Sequence, residues 1–99
     1  MSEVQKLSRR VLVEGFVQGV GYRDFTRRTA LRCNVSGWVR NRVDGAVEAL
    51  ARGAPADVEA LIAEMRRGPR GATVTSLRLL EPGEGDDAES GTFVIRWTR

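Results

Sequence analysis

An α+β fold is predicted from the order of two apolar periods along the chain and from one hairpin signal. Period-two stretches mark strands, and stripes spaced by three and four mark helices. They follow the order strand, helix, strand, strand, helix, strand, with a further strand at the end. Asp44-Gly45, between the second and third strand stretches, suits a two-residue turn that pairs those strands antiparallel. A split β-α-β unit meets these requirements: an antiparallel sheet, both helices on one face, and an extra C-terminal strand. The 99 residues suffice for one domain, spanning 1–99, with one core. A chain that closes on a strand is expected to be whole rather than excised.

Residues 1–7 are polar and expected to be loosely ordered. From Ser8 to Val17 a strand places Val11, Val13, Gly15 and Val17 on one face and Leu12, Glu14 and Phe16 on the other. A helix from Arg23 to Cys33 takes Tyr22, Phe25, Thr29 or Ala30, and Cys33 as its apolar positions. Asp24 complements the dipole in its first turn and is expected to cap the helix, pointing away from the turn before it. Asn34 is expected to end the helix in the left-handed conformation.

Gly37 to Val43 reads as the second strand, with Val39, Asn41 and Val43 on one face and Trp38, Arg40 and Arg42 on the other. Ala46 to Arg52 is the third. A second helix, Pro55 to Arg67, buries the stripe Val58, Leu61, Ile62, Met65. Pro55 suits its first position, Arg66 and Arg67 suit its end, and Gly68-Pro69 stops it. Thr73 to Leu80 forms the fourth strand, carrying Val74, Leu77 and Leu79. An acidic, flexible turn follows from Pro82 to Gly91, and a last strand, Thr92 to Trp97, turns Phe93 and Ile95 inward.

Composition excludes several function classes. Hydrophobic residues at 41% and charged residues at 29% suit a soluble globular domain, not a disordered tail. No apolar run approaches a membrane span, and Met1-Ser2-Glu3 does not open a signal peptide. The single cysteine, Cys33, has no internal disulfide partner, so the cytoplasm is the expected compartment. Of the 16 basic residues one is lysine, Lys6, and the other fifteen are arginine. They are spread over every element rather than clustered, which reads as a solvated surface attracting anionic substrates rather than a nucleic-acid footprint.

The chemistry concentrates in Gly15 to Arg23, G-F-V-Q-G-V-G-Y-R. Glycines 15, 19 and 21 let the backbone turn sharply and bring its N–H groups to a ligand. The backbone donors of Gln18, Gly19, Val20, Gly21 and Tyr22, a helix N-terminus and the Arg23 guanidinium all attract an anion, and phosphate fits them best. The alternative is a tight strand-to-helix turn with an exposed arginine, since neither the G-K-[ST] of a P-loop nor a third dinucleotide-type glycine is present. Cys33 lacks an arginine at the spacing of a cysteine-nucleophile phosphatase and reads as a buried structural thiol. With no histidine and one cysteine, histidine nucleophiles, catalytic triads and the usual zinc sites are excluded, and no metal or cofactor is expected.

An arginine, an amide and a ring of backbone donors can orient and stabilise but supply no strong acid. Such a set suffices for a leaving group that needs no proton, such as a carboxylate, whose conjugate acid has a pKa of roughly 4. V-Q-G-V-G-Y-R followed by G-W-V-R-N-x-x-D-G-x-V-E (Gly37 to Glu48) closely resembles the acylphosphatase family over nearly the whole chain. The resemblance implies a ferredoxin-like fold and metal-independent hydrolysis of carboxyl-phosphate anhydrides by direct attack of water. It also implies that Arg23 and Asn41 are the catalytic pair. The partners implied are a small acyl phosphate and inorganic phosphate, with no nucleic acid or membrane, for a monomer. Two other readings stay open. One is a domain acting on carbamoyl phosphate, like those that begin the hydrogenase-maturation carbamoyltransferases. The other is a non-catalytic ferredoxin-like module binding an anion or RNA. For RNA, Phe16 and Trp38 would stack bases, but the R-G-[FY]-[GA]-F-V pattern is missing and both aromatics are expected to shield the sheet instead.

Overall fold

The computed structural model describes residues 6–81 and 91–99. Its elements are β1 (Leu7–Phe16), α1 (Tyr22–Arg32), β2 (Ser36–Asn41), β3 (Val47–Gly53), α2 (Pro55–Arg67), β4 (Thr73–Leu80) and β5 (Phe93–Ile95). Leu7, expected to be loose, instead heads β1 and pairs with Gly53. The acidic turn predicted from Pro82 to Gly91 lies, Gly91 apart, outside the described residues, as do residues 1–5. No described helix is long and apolar enough to cross a membrane.

The sheet has the order β4-β1-β3-β2-β5. β1 pairs antiparallel with β3 and β4, and β2 antiparallel with β3, as expected, but β5 joins parallel to β2 and makes the sheet mixed. Geometry dictates this direction. β1 and β2 both oppose β3 and so run the same way, whereas β4 opposes β1. A strand that starts at the end where β4 finishes must run opposite to β4, and therefore along β2. β5 is also shorter than the predicted Thr92 to Trp97: Phe93 is buried, whereas Ile95 stands at the edge of the sheet, half in solvent. Leu79 of β4 is likewise exposed.

Both helices cover one face. Val11, Val13 and Val17 meet Val39, Val47, Ala49, Ala51 and Phe93 under Tyr22 and Ala30 of α1 and the whole predicted stripe of α2. Cys33 packs half-buried against this core. α1 buries Thr29 and Ala30 and, beyond the predicted positions, Thr26, whose hydroxyl donates to the Tyr22 carbonyl oxygen (2.9 Å), while Phe25 is only half-buried. The helix ends as its sequence requires. Asn34 takes φ 62°, its N–H donates to Leu31 O and the Val35 N–H to Ala30 O, the paired bonds of a Schellman cap.

The helix-free face is closed by arginines. Trp38 is buried beneath two guanidinium groups, Arg40 at 4.5 Å and Arg96 at 5.1 Å from its ring centroid. Next to it Glu48 is wholly buried and accepts hydrogen bonds from Arg10 Nε (2.7 Å) and Arg40 Nε (2.9 Å). Burial pushes the Glu48 carboxyl up, but the Arg40 and Arg10 bonds outweigh burial and leave its pKa below the ordinary range. Trp38 shields the sheet as expected; Phe16, at 62% exposure, does not.

The β2–β3 turn departs from the predicted two-residue form. β2 ends at Asn41, Arg42 and Ala46 flank the loop, and the Gly45 N–H bonds Arg42 O across Val43-Asp44. A type I turn followed by a positive-φ glycine is the usual three-residue hairpin loop, and it leaves Val43 in solvent rather than on the strand face. The Asp44 carboxylate accepts the Ala46 N–H, which lowers its pKa.

Candidate active site

β1 delivers the chain to buried Val17, and the segment from there to α1 is bent by Gly19 (φ 76°) and Gly21 (φ 78°). Alternation of left-handed and right-handed residues turns successive N–H groups toward one side, the geometry of an anion nest. A Cβ at either glycine would meet nothing within 4 Å, so backbone conformation alone demands glycine there. The first backbone bond of α1 runs from Phe25 N–H to Gly21 O (3.0 Å), and no side chain caps the helix. The amides ahead of Phe25 therefore stay available to a ligand. Asp24 does not cap as expected; it forms an exposed pair with Arg28 at 2.9 Å.

Two ties hold this loop in place. The buried Tyr22 hydroxyl donates to Met65 O (2.6 Å) and fastens the first turn of α1 to α2. Burial pushes the Tyr22 phenol up, so it remains a neutral donor. The other tie is Gln18, whose Nε2 donates to Arg42 O (2.8 Å) and Ala46 O (2.9 Å), the two carbonyls that flank the β2–β3 loop. Sequence reading assigned Gln18 a backbone donor and missed this side-chain role. No local pattern signals it, because the acceptors come from a hairpin distant in the chain.

The hairpin so held carries Asn41. Arg23 and Asn41 line one cleft of about 210 Å³ together with Gly19, Gly21, Tyr22, Asp24 and Ile95. Gln18 and Val20, also predicted as backbone donors, are not among the residues that line this cleft, and the Val20 side chain packs on the core. Asn41 Oδ1 is buried and has no hydrogen-bond partner among the described residues. A buried acceptor left unpaired is costly, which marks Asn41 as a side chain held for something other than the fold. Beyond β5 the chain keeps to β2: Arg96 N–H donates to Val39 O (2.9 Å) and Arg99 N–H to Asn41 O (3.0 Å). Among the described residues no group of histidine, cysteine or carboxylate side chains is placed to hold a metal.

A cationic guanidinium, open amides and an unpaired amide oxygen around one small cleft suit a phosphoryl group with a water beside it. The acylphosphatase family model matches residues 9–95. The chain belongs to the acylphosphatase family. An acylphosphatase from Rhizobium etli is 53% identical over 68 residues, covering 69% of this chain and 72% of its own. One from Rhodopseudomonas palustris is 51% identical over 78 residues, covering 79% and 78%. Among solved structures, the acylphosphatase from Bacillus subtilis superposes with a TM-score of 0.78 at 32% identity, over 93% of this chain and 99% of that one. Full-length HypF in its phosphate- and nucleotide-bound form superposes at TM-score 0.76 and 28% identity, over 95% of this chain but 12% of its own. The ferredoxin-like fold is shared with acylphosphatases of known structure.

Proposed function

We propose that this chain hydrolyses acyl phosphates to carboxylate and phosphate, with Arg23 and Asn41 as its catalytic residues. The observation that carries the reading is the convergence of Arg23 and Asn41, from elements far apart in the chain, on one cleft. The phosphoryl oxygens are held by the amides of Gln18 to Tyr22 and by Arg23, whose fork matches two of them at once. Asn41 Oδ1 accepts a hydrogen from a water molecule and orients its lone pair toward phosphorus. The water oxygen bonds to phosphorus as the bond from phosphorus to the acyl oxygen breaks, and the electron pair of that bond leaves on the carboxylate. The water's proton is released to phosphate or solvent, so the weakly basic leaving group needs no general acid. Charge spread over the phosphoryl oxygens in the transition state is met by donors already in place.

The test is benzoyl phosphate hydrolysis by the wild type and two variants, with carbamoyl phosphate as a second substrate. Arg23→Lys keeps the charge and loses the fork, and is expected to lower kcat/KM and weaken inhibition by inorganic phosphate together. Asn41→Ala is expected to lower kcat about a hundredfold with little change in phosphate affinity, on the scale of a lost transition-state donor or positioning group. Wild-type turnover in Asn41→Ala would overturn the role given to Asn41.

A further inference from the structure

The phosphate cleft is open on one side, and a second groove continues it. Arg23 and Ile95 line both; the second, of about 450 Å³, adds Arg96, Trp97 and Thr98. Trp97 is 93% exposed and Ile95 42%, so two large apolar side chains stand in solvent beside a site built for an anion. Trp97 is not on a loose tail. The backbone bonds of Arg96 to Val39 and of Arg99 to Asn41 fix the segment on either side of it, and the Arg96 guanidinium is occupied over Trp38. An indole presented on an anchored backbone pays little ordering entropy when a ligand covers it.

We propose that Ile95 and Trp97 form the subsite for the acyl group, and that it selects flat aromatic acyl phosphates over short aliphatic ones. This rests on the reading that the Arg23 end takes the phosphoryl group. A substrate seated there runs its acyl group along the wall that leads away from Arg23, where Ile95 and Trp97 are the large apolar side chains beside Arg96 and Thr98. Face or edge contact of an aromatic acyl group with the indole adds stacking to the area it buries, which a methyl group cannot do.

The experiment compares benzylphosphonate with methylphosphonate, titrated calorimetrically into the intact chain. The wild type is expected to bind the benzyl compound about tenfold more tightly. Trp97→Ala is expected to erase most of that ratio and Trp97→Phe to keep most of it. The ratio of kcat/KM for benzoyl over acetyl phosphate follows the same order. An unchanged ratio in Trp97→Ala, or no preference in the wild type, overturns the subsite. A wild type that shows the Trp97-dependent preference for benzylphosphonate but hydrolyses no acyl phosphate sustains the subsite and overturns the proposed activity.

Discussion

Replacing Gln18 by alanine removes both hydrogens that its amide gives to Arg42 O and Ala46 O. Each such bond contributes about 0.5–1.5 kcal/mol net. Neither carbonyl is orphaned by the change, because Arg42 O still accepts from Gly45 N–H and Ala46 O from Arg42 N–H. The expected loss is therefore about 1–3 kcal/mol, without the added penalty of an unsatisfied buried group. Because the tie joins the loop that leads into Arg23 of α1 to the hairpin that carries Asn41, kcat/KM is expected to fall at least about tenfold, the scale of a small misplacement of reacting groups. Gln18→Glu separates this account from a simple loss of packing. Its carboxylate would face two carbonyl oxygens, so it should destabilise more than alanine at neutral pH. The ionised form is the one opposed, so the folded-state pKa of the new carboxyl lies above its unfolded value of about 4.3. The penalty is full above the folded pKa, shrinks as pH falls through it, and is gone below about 4.3. Urea unfolding of both variants from pH 4 to pH 8, with acyl phosphate turnover alongside, reads both effects. A Gln18→Glu variant as stable at pH 7 as Gln18→Ala would refute the reasoning.

Glu48→Ala takes away the buried carboxylate shared by Arg10 and Arg40. It is expected to cost about 3 kcal/mol in urea unfolding, toward the low end for a broken buried pair because both arginines still reach water. In the wild type the depressed Glu48 pKa contributes stability that is full above about pH 4.3 and is lost as pH falls through the folded value, so Glu48→Gln should flatten the acid limb of stability against pH. Gly37→Ala would drive a Cβ into the Leu50 carbonyl oxygen of the neighbouring strand at a φ of 145°, and should destabilise by about 4 kcal/mol or more, measured by thermal melting.

Local chemistry explains what was legible in the sequence. α2 was readable down to its four buried residues because Pro55, the stripe and Gly68-Pro69 all lie within the element they define. The cap at Asn34 was readable for the same reason. Arg23, Asn41 and the glycines of the loop stood out as motifs, and the fold brings them to one cleft. What escaped depends on partners far along the chain. The direction of β5 follows from which end of the sheet β4 leaves. The exposure of Ile95 follows from β5 being the edge strand among the described residues. The side-chain role of Gln18 depends on a hairpin turn whose own length was misjudged, since Asp44-Gly45 is the end of a three-residue loop and not the whole of a shorter one.

The placement of β5 beside β2 has a consequence for how the chain acquires its site. The cleft draws on the loop after β1, on the far end of β2 and on Ile95, so its walls come from both ends of the described chain. Pairings between segments so distant in sequence, β1 with β4 as well as β2 with β5, are entropically late events in folding. A chain with both helices formed and the four antiparallel strands zipped has most of its secondary structure and still lacks the wall beside Arg23. The wall beside Arg23 is thereby completed only when β5 docks on β2.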